Sequence, residues 1–396
     1  MLEMAFAGFL GILLGIFTGI LPGLHINTVV SILAVLSIKI EPIITACFLV
    51  SLSISHNFFE FIPAALFSAP KEGECLISRP SRKFVNEGKG RIPMKLSAIG
   101  ALFSTIIFLF FVPFYVFILP ILSSSIKNYI PFILLAVSLS ICLKEDKKIT
   151  AFLLFILSGI LGYFTLDVIK INEPMLPLLS GLFGLSGVYG GIKNKEKIPN
   201  QMKIYGNNIS KKEIIKGSLS GIFASSLMGV VPAIGPSQAS LFLSSNEKKS
   251  IEEFFVSTGA VNTADVLMSI TALYSINKAR SGALEFVKSI LSLGLSDVFI
   301  LIFFSVLSAF ASYFIFIKIS DIFADNISKI RINRISLFIL FFLIILITCI
   351  SGLLGLFIAF LGSALGYLCS KKDVRMSNLM GCLVVPTIIF YIKFLF

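Results

Sequence analysis

The chain has 396 residues, 56% hydrophobic and only 14% charged, with forty Phe and no Trp, and a mean hydropathy of +0.97. Soluble domains carry about 45–50% apolar and about 25% charged residues, so this composition excludes a fold wetted on all sides. The net charge of +12 does not point to nucleic acid: Lys and Arg gather between apolar runs and form no basic face with interleaved aromatics, so no nucleic-acid partner is expected.

Charge-free runs decide the class. A bilayer crossing takes about 20 mostly apolar residues, and such runs recur at Met4–Ile38, Leu96–Ile126, Gly217–Asn246, Val298–Ile317 and Ile335–Ser370. They are far longer than the alternating strands of a membrane barrel, and in lipid the backbone must satisfy itself within a helix. The expected fold is an all-α polytopic protein of the cell membrane, with about 10–12 transmembrane or re-entrant helices. In chain order the units are 5–37, 43–69, 96–120, 128–143, 149–168, 175–192, 213–244, 254–275, 287–316, 335–350, 351–369 and 378–395. Met1-Leu2-Glu3 lacks a basic signal-peptide start, so the first unit is expected to stay in the working protein. The six Cys, at 47, 75, 142, 349, 369 and 382, make no CxxC pair; neither a disulfide framework nor a metal site is expected.

The polar segment Lys193–Lys216 separates six units from six. It suggests a first membrane repeat over 1–192, an inter-repeat loop over 193–216 and a second repeat over 217–396. Three matches support duplication: Gly11-Ile-Leu-Leu-Gly15-Ile-Phe17 with Gly217-Ser-Leu-Ser-Gly221-Ile-Phe223, 206 apart; Asn57-Phe-Phe-Glu60 with Asn262-Thr-Ala-Asp265, 205 apart; and Ser158–Phe164 with Ser351–Phe357, 193 apart. Secondary transporters are often duplicated in this way, with substrate held at the repeat interface on broken helices. The loops Lys71–Lys95 and Lys193–Lys216 each hold seven Lys or Arg, which suits a shared cytoplasmic side. Whether the halves run parallel or inverted depends on whether 5–37 and 213–244 cross once or turn back.

Each of those two units contains a break. Pro22 removes a helix donor and Gly23 tolerates unusual backbone angles, so the first helix should be interrupted there; its free N–H groups make Gly23, His25, Asn27 and Thr28 candidate anion contacts. The second half has Pro232-Ala-Ile-Gly235-Pro236-Ser237-Gln238 in the corresponding place, with Ser237, Gln238 and Ser240 as neutral hydrogen-bonding groups. The plainer alternative is a pair of proline kinks with glycines serving helix packing.

Asn57/Glu60 and Asn262/Asp265 form the other constellation. Residues i and i+3 share a helix face, which puts each amide beside its own acid. An acid in an apolar helix marks an ion path, proton relay or partner pair, so the four are candidate ion-coupling residues; the alternative is that Glu60 and Asp265 anchor loop Lys or Arg. His56 is placed to share a relay, although a lone buried His is more often structural. Two polar glycine loops, Ala69–Glu74 and Asn277–Gly282, offer Lys71, Lys278 and Arg280 to an anion at one mouth, or are ordinary loop charges. Asp167 and Asp297 end apolar stretches and are read as interfacial. No Walker, HExxH, GxSxG or Rossmann motif stands in a suitable context, so no enzyme activity is expected, and no cofactor beyond a coupling Na⁺ or H⁺.

The ordered motifs Gly11–Leu24, Glu87-Gly-Lys-Gly-Arg91, Gly181–Ser186, Val231–Ala239, Ala260–Ala264 and Asn378–Pro386 resemble the large membrane subunit of tripartite tricarboxylate transporters, in a short archaeal-type version. The resemblance implies a cation- or proton-coupled carboxylate permease working with a small membrane subunit and an extracytoplasmic binding protein. In this chain the second break reads Pro232-Ala233, where that family has Pro-Gly. The rival within transport is a polyprenyl-phosphate translocase, a family that also has duplicated halves and Pro-Gly breaks; a phosphate reader often uses an intramembrane Arg, which the apolar runs do not supply. A lipid-processing enzyme, with only His56 and Glu60 to carry it, and a non-transporting scaffold are the readings from other classes.

Overall fold

The computed structural model describes residues 1–21, 24, 26–36, 40–66, 77–193, 198–203, 209–243, 250–329 and 332–393. They form helices with no strand among them: α1 (Leu2–Ile20), α2 (Ile26–Leu36), α3 (Pro42–Phe59), α4 (Phe61–Leu66), α5 (Ser78–Asn86), α6 (Arg91–Ile126), α7 (Ile130–Leu143), α8 (Lys148–Tyr163), α9 (Met175–Leu179), α10 (Ser186–Lys193), α11 (Lys211–Val230), α12 (Pro236–Leu243), α13 (Ile251–Ile276), α14 (Gly282–Ile290), α15 (Leu295–Asn326), α16 (Ile332–Lys371) and α17 (Gly381–Ile392). Among the described residues, Leu2–Ile20, Pro42–Leu66, Arg91–Leu143, Lys148–Val168, Leu295–Lys329 and Ser336–Lys371 are long and apolar enough to cross a membrane, and Met175–Tyr189 and Met376–Ile392 are shorter apolar helices. The protein is an all-α, multi-pass membrane protein.

Several units differ from their sequence outline. Unit 287–316 divides into α14 and α15, and Asp297 caps the start of α15 by accepting from the Gly294 N–H at 2.8 Å, which satisfies one of the donors a helix start leaves over. Units 335–350 and 351–369 run on as α16, turned at Gly352, whose φ of 70° and ψ of −171° are not helical. Only glycine takes that conformation without strain. Ile339, Leu343 and Ile347 before the turn and Ala359 after it share one cluster with Leu176, Leu185 and Val188, so the chain doubles back at Gly352.

Lipid tails are as apolar as Leu, so helix association rests on close packing of small residues. The GxxxG segments provide it. A Cβ on Gly15 would lie 2.6 Å from Ser55 Cβ and 2.7 Å from the Leu52 carbonyl, and one on Gly19 2.6 Å from Phe59 Cβ. In the second half, a Cβ on Gly217 would lie 2.7 Å from Val256, one on Gly221 would overlap Ala260, and one on Gly229 would meet Met268 at 2.8 Å. Contacts advance together along both helices, so α1 runs parallel to α3 and α11 parallel to α13.

The two pairs oppose one another. The start of α3 (Ile43, Ala46) clusters with the end of α13 (Ile270, Leu273), while the end of α3 (Phe58, Phe59) clusters with the start of α13 (Phe255, Val256). Each pair also takes a long helix from the other half of the chain. Tyr115 and Leu119 of α6 meet Ser226 and Gly229 of α11, and Phe304 and Phe316 of α15 meet Gly8 of α1 and Phe58 and Phe59 of α3.

At one end of this core, Gly88–Arg91 of the first basic segment and Gln201–Met202 of the second lie together. The Gly90 N–H donates to Gln201 Oε1 at 2.7 Å, the Met202 N–H to the Gly88 carbonyl at 2.8 Å and Arg91 Nε to the Met202 carbonyl at 3.1 Å. Arg91 also pairs with Asp321 and Asp325 at the end of α15.

Candidate functional site

Both breaks interrupt their helices. α1 stops at Ile20, Leu21 is extended (φ −82°, ψ 113°), and α2 starts at Ile26. α11 stops at Val230 and Val231 is extended (φ −99°, ψ 115°). Ala233, next to Pro232, takes a left-handed φ of 60°, a conformation that strains any residue with a Cβ. Pro22, Gly23 and His25, the side chain of Thr28 and the loop Ala69–Glu74 with Lys71 lie outside the described residues.

The units 5–37 and 213–244 turn back rather than cross. α2 ends six positions before α3 begins at Pro42, beside the start of the parallel α1, so α2 must reverse. Ser250, the cap of α13, donates its hydroxyl to Glu213 in the first turn of α11 at 2.9 Å, which places both helix starts together and makes α12 the returning arm.

Around the second break, Pro236 opens α12 and the Gly235 N–H donates to Gln238 Oε1 at 3.3 Å. Gln238 Nε2 in turn donates to the Ser377 carbonyl at 3.4 Å. Ser237 is 1% exposed, and its hydroxyl makes no hydrogen bond among the described residues. Lys144 Nζ caps the far end of α12 on the Leu241 carbonyl at 3.2 Å. Burial, followed by the charge of Arg375, holds that ammonium below its ordinary pKa.

The sequence offers Arg280 either to an anion at one mouth or as an ordinary loop charge. Its side chain folds back onto the break instead, donating from Nη1 to the Val231 carbonyl (3.1 Å), from Nη2 to the Ile234 carbonyl (3.1 Å) and from Nε to Asp265 Oδ1 (3.3 Å). A guanidinium there compensates the negative end of the interrupted α11. Two residues on, a Cβ at Gly282 would lie 2.5 Å from Asn27 Oδ1, so Arg280–Gly282 touches the second break and the first turn after the first. Lys278 Nζ donates to Ser123 Oγ at 3.0 Å, and burial, then the charge of Lys127, lower its pKa.

The acid pairs differ from the sequence expectation. Glu60 stands at the junction of α3 and α4, buried at 6% exposure. Its carboxylate receives not its own neighbour's amide but that of the opposite half: Asn262 Nδ2 donates to Glu60 Oε1 at 3.2 Å. Asn57 Nδ2 donates to the Asn262 carbonyl at 2.8 Å. A three-residue step along one helix cannot reveal such a crossing. His56 adjoins the same carboxylate, Nε2 to Oε2 at 3.6 Å, and its Nδ1 lies 2.8 Å from Thr18 Oγ1 on α1. Thr18 was missed from sequence; its signal is its place one turn after Gly15 in the packed segment. Asp265 pairs with Arg280, the anchoring alternative. The described residues contain no group of His, Cys, Asp or Glu suited to a metal ion, and the five described Cys are unbridged.

A second polar knot lies at the α7–α8 turn. Glu145 accepts from Asn378 Nδ2 at 3.1 Å and pairs with Arg375 at 3.7 Å. It ties this turn to the segment that holds Gln238.

Comparison with known proteins gives the site its context. An uncharacterized protein of Methanocaldococcus jannaschii is 28% identical over 402 residues, spanning 97% of this chain and 98% of its own. No solved structure matches the chain. The model of the Tripartite tricarboxylate transporter TctA family matches residues 5–381. That is a family of transporters rather than enzymes, whose tripartite assembly includes further subunits, a binding protein among them. The chain belongs to the Tripartite tricarboxylate transporter TctA family.

Proposed function

We propose that this chain is the permease of a secondary active transporter that carries a small organic anion, a carboxylate, coupled to a gradient of H⁺ or Na⁺. Residues 1–192 and 217–396 are read as inverted copies, joined by 193–216. What carries the reading is the pair of interrupted hairpins, α1–α2 and α11–α12, at corresponding places in helix pairs of opposite direction, the arrangement that places substrate between broken helices in secondary transporters. Equivalent glycine packing supports the duplication: Gly15 faces Ser55 and Gly221 faces Ala260, residues 205 apart on α3 and α13.

In this reading Pro22, Gly23, His25, Asn27 and Thr28 of the first break and Pro232, Gly235, Ser237 and Gln238 of the second cradle the substrate. Asn57, Glu60, Asn262 and Asp265 handle the coupling cation, because the first three form a polar cluster that joins the two halves where a bilayer core makes charge costly, and Asp265 follows Asn262 on α13 beside Arg280. The end holding both basic segments is cytoplasmic, which turns the Lys278–Arg280 end toward an extracytoplasmic binding protein. A small membrane subunit completes the assembly.

One observation favours a second reading, a polyprenyl-phosphate translocase: Arg280 lies on the α11 break, where the apolar runs offered no Arg. The test is uptake into proteoliposomes of di- and tricarboxylates, amino acids and polyprenyl phosphate, with and without a pH or Na⁺ gradient. Gradient-driven carboxylate uptake is expected. Gradient-independent movement of the lipid phosphate alone would replace the first reading by the second.

A further inference from the structure

We propose that Arg280 and Ser237 together form the carboxylate-reading subsite of the second break. The inference rests on the transport reading above and names the residues that recognise the anion's charge.

Three features of the break converge. First, Arg280 carries five N–H groups, and its partners among the described residues, the Val231 and Ile234 carbonyls and Asp265 Oδ1, engage three. Those partners orient the fork against the break and leave two donors for a planar anion, the geometry in which guanidinium binds carboxylate best. Second, Ser237 stands in the first turn of α12, where backbone N–H groups and the helix dipole favour negative charge. Its hydroxyl is fully buried yet makes no hydrogen bond among the described residues. A buried hydroxyl is costly to leave unsatisfied, and a carboxylate at the helix start satisfies it. Third, Arg280 neutralises the carbonyl end of α11, so the exposed polarity of the break is the positive end of α12.

The placement also explains why this loop, rather than Lys278, reads the substrate. Lys278 is held by Ser123 at the mouth, whereas Arg280 reaches the interruption itself. Gly282, two residues on, abuts Asn27, so a ligand on Arg280 lies between the two breaks.

The test uses the full chain purified in detergent, with citrate as the probe and inorganic phosphate as the comparison anion, and uptake of citrate in proteoliposomes. Ser237→Ala removes a buried, unbonded hydroxyl, so its thermal unfolding midpoint without ligand should be no lower than that of the wild type. Its citrate affinity should fall about tenfold, the loss of one hydrogen bond to a charged group. Arg280→Lys keeps the charge but loses the fork, and should raise KM for citrate about tenfold, with any binding of inorganic phosphate weakened alongside it. Asp265→Asn, which disturbs the orientation of Arg280 without removing it, should show a smaller rise. Wild-type citrate binding that persists unweakened in both Ser237→Ala and Arg280→Lys would overturn this subsite alone. A wild type that neither binds nor moves any carboxylate would overturn the transport reading and the subsite together.

Discussion

Asn57 donates its side-chain amide to the backbone carbonyl of Asn262 at 2.8 Å, across 205 residues of chain. The same offset separates the two residues in the aligned motifs, so the motif positions meet at the crossing of α3 and α13. Asn262 returns the contact one turn away by donating to Glu60. The helices thereby hold one another through amides, and the acid of the first half is oriented by the second.

Replacing Asn262 by Ala removes a donor from a buried carboxylate. Loss of such a partner costs about 1–3 kcal/mol, and the expected outcome is a lower thermal unfolding midpoint in detergent than for Asn57→Ala, whose removal leaves only a backbone carbonyl to re-pair. Equal midpoints for the two variants would show that Glu60 does not depend on the opposite half.

The crossing of α6 and α13 depends on two glycines. A Cβ on Gly100 would overlap the Val256 carbonyl and one on Gly259 the Ser97 carbonyl, and a backbone atom cannot rotate away. Gly100→Ala and Gly259→Ala should each lower yield of folded protein and cost about 1–3 kcal/mol, the usual range for overpacking. Gly294→Ala, whose Cβ would meet nothing nearer than Asp297 at 3.4 Å, serves as the tolerated control. Size-exclusion profiles of the three variants check this.

Glu213 links the starts of α11 and α13. Its carboxylate accepts from the Ser210 N–H (2.9 Å), the Ser210 hydroxyl (2.8 Å) and the Ser250 hydroxyl (2.9 Å), bonds that hold its pKa below the ordinary carboxyl value. A folded value below the unfolded one gives stabilisation that is full above the unfolded pKa and lost as pH falls through the folded pKa. Hydrogen-exchange protection at 211–216 and 251–255 should therefore decline on acidification in the wild type and stay flat in Glu213→Gln. The same decline in both proteins would remove Glu213 as the cause.

Much of this architecture was legible because it is periodic or punctuated. Apolar runs marked the helices, Pro232 and the glycines marked the second break, and GxxxG marked the tight pairs. What stayed hidden depends on where loops fold. Arg280 lies in a polar segment whose residue types say nothing about direction, and its return onto Val231 and Ile234 follows from tertiary packing. The amide that serves Glu60 comes from a distant helix, which reasoning along one helix face does not reach. Gly352 fell at an expected boundary, but its turn within a continuous helical stretch shows only in its backbone angles.

The proposed coupling role of Glu60 is tested most directly by comparing two modes of citrate movement in proteoliposomes made with Glu60→Gln. Exchange of internal for external citrate needs only the substrate site, so it should continue near the wild-type rate. Accumulation against a concentration gradient under an imposed pH or Na⁺ gradient draws on the carboxylate in the proposed coupling, and it should be lost. Uphill accumulation by Glu60→Gln equal to that of the wild type would contradict the account.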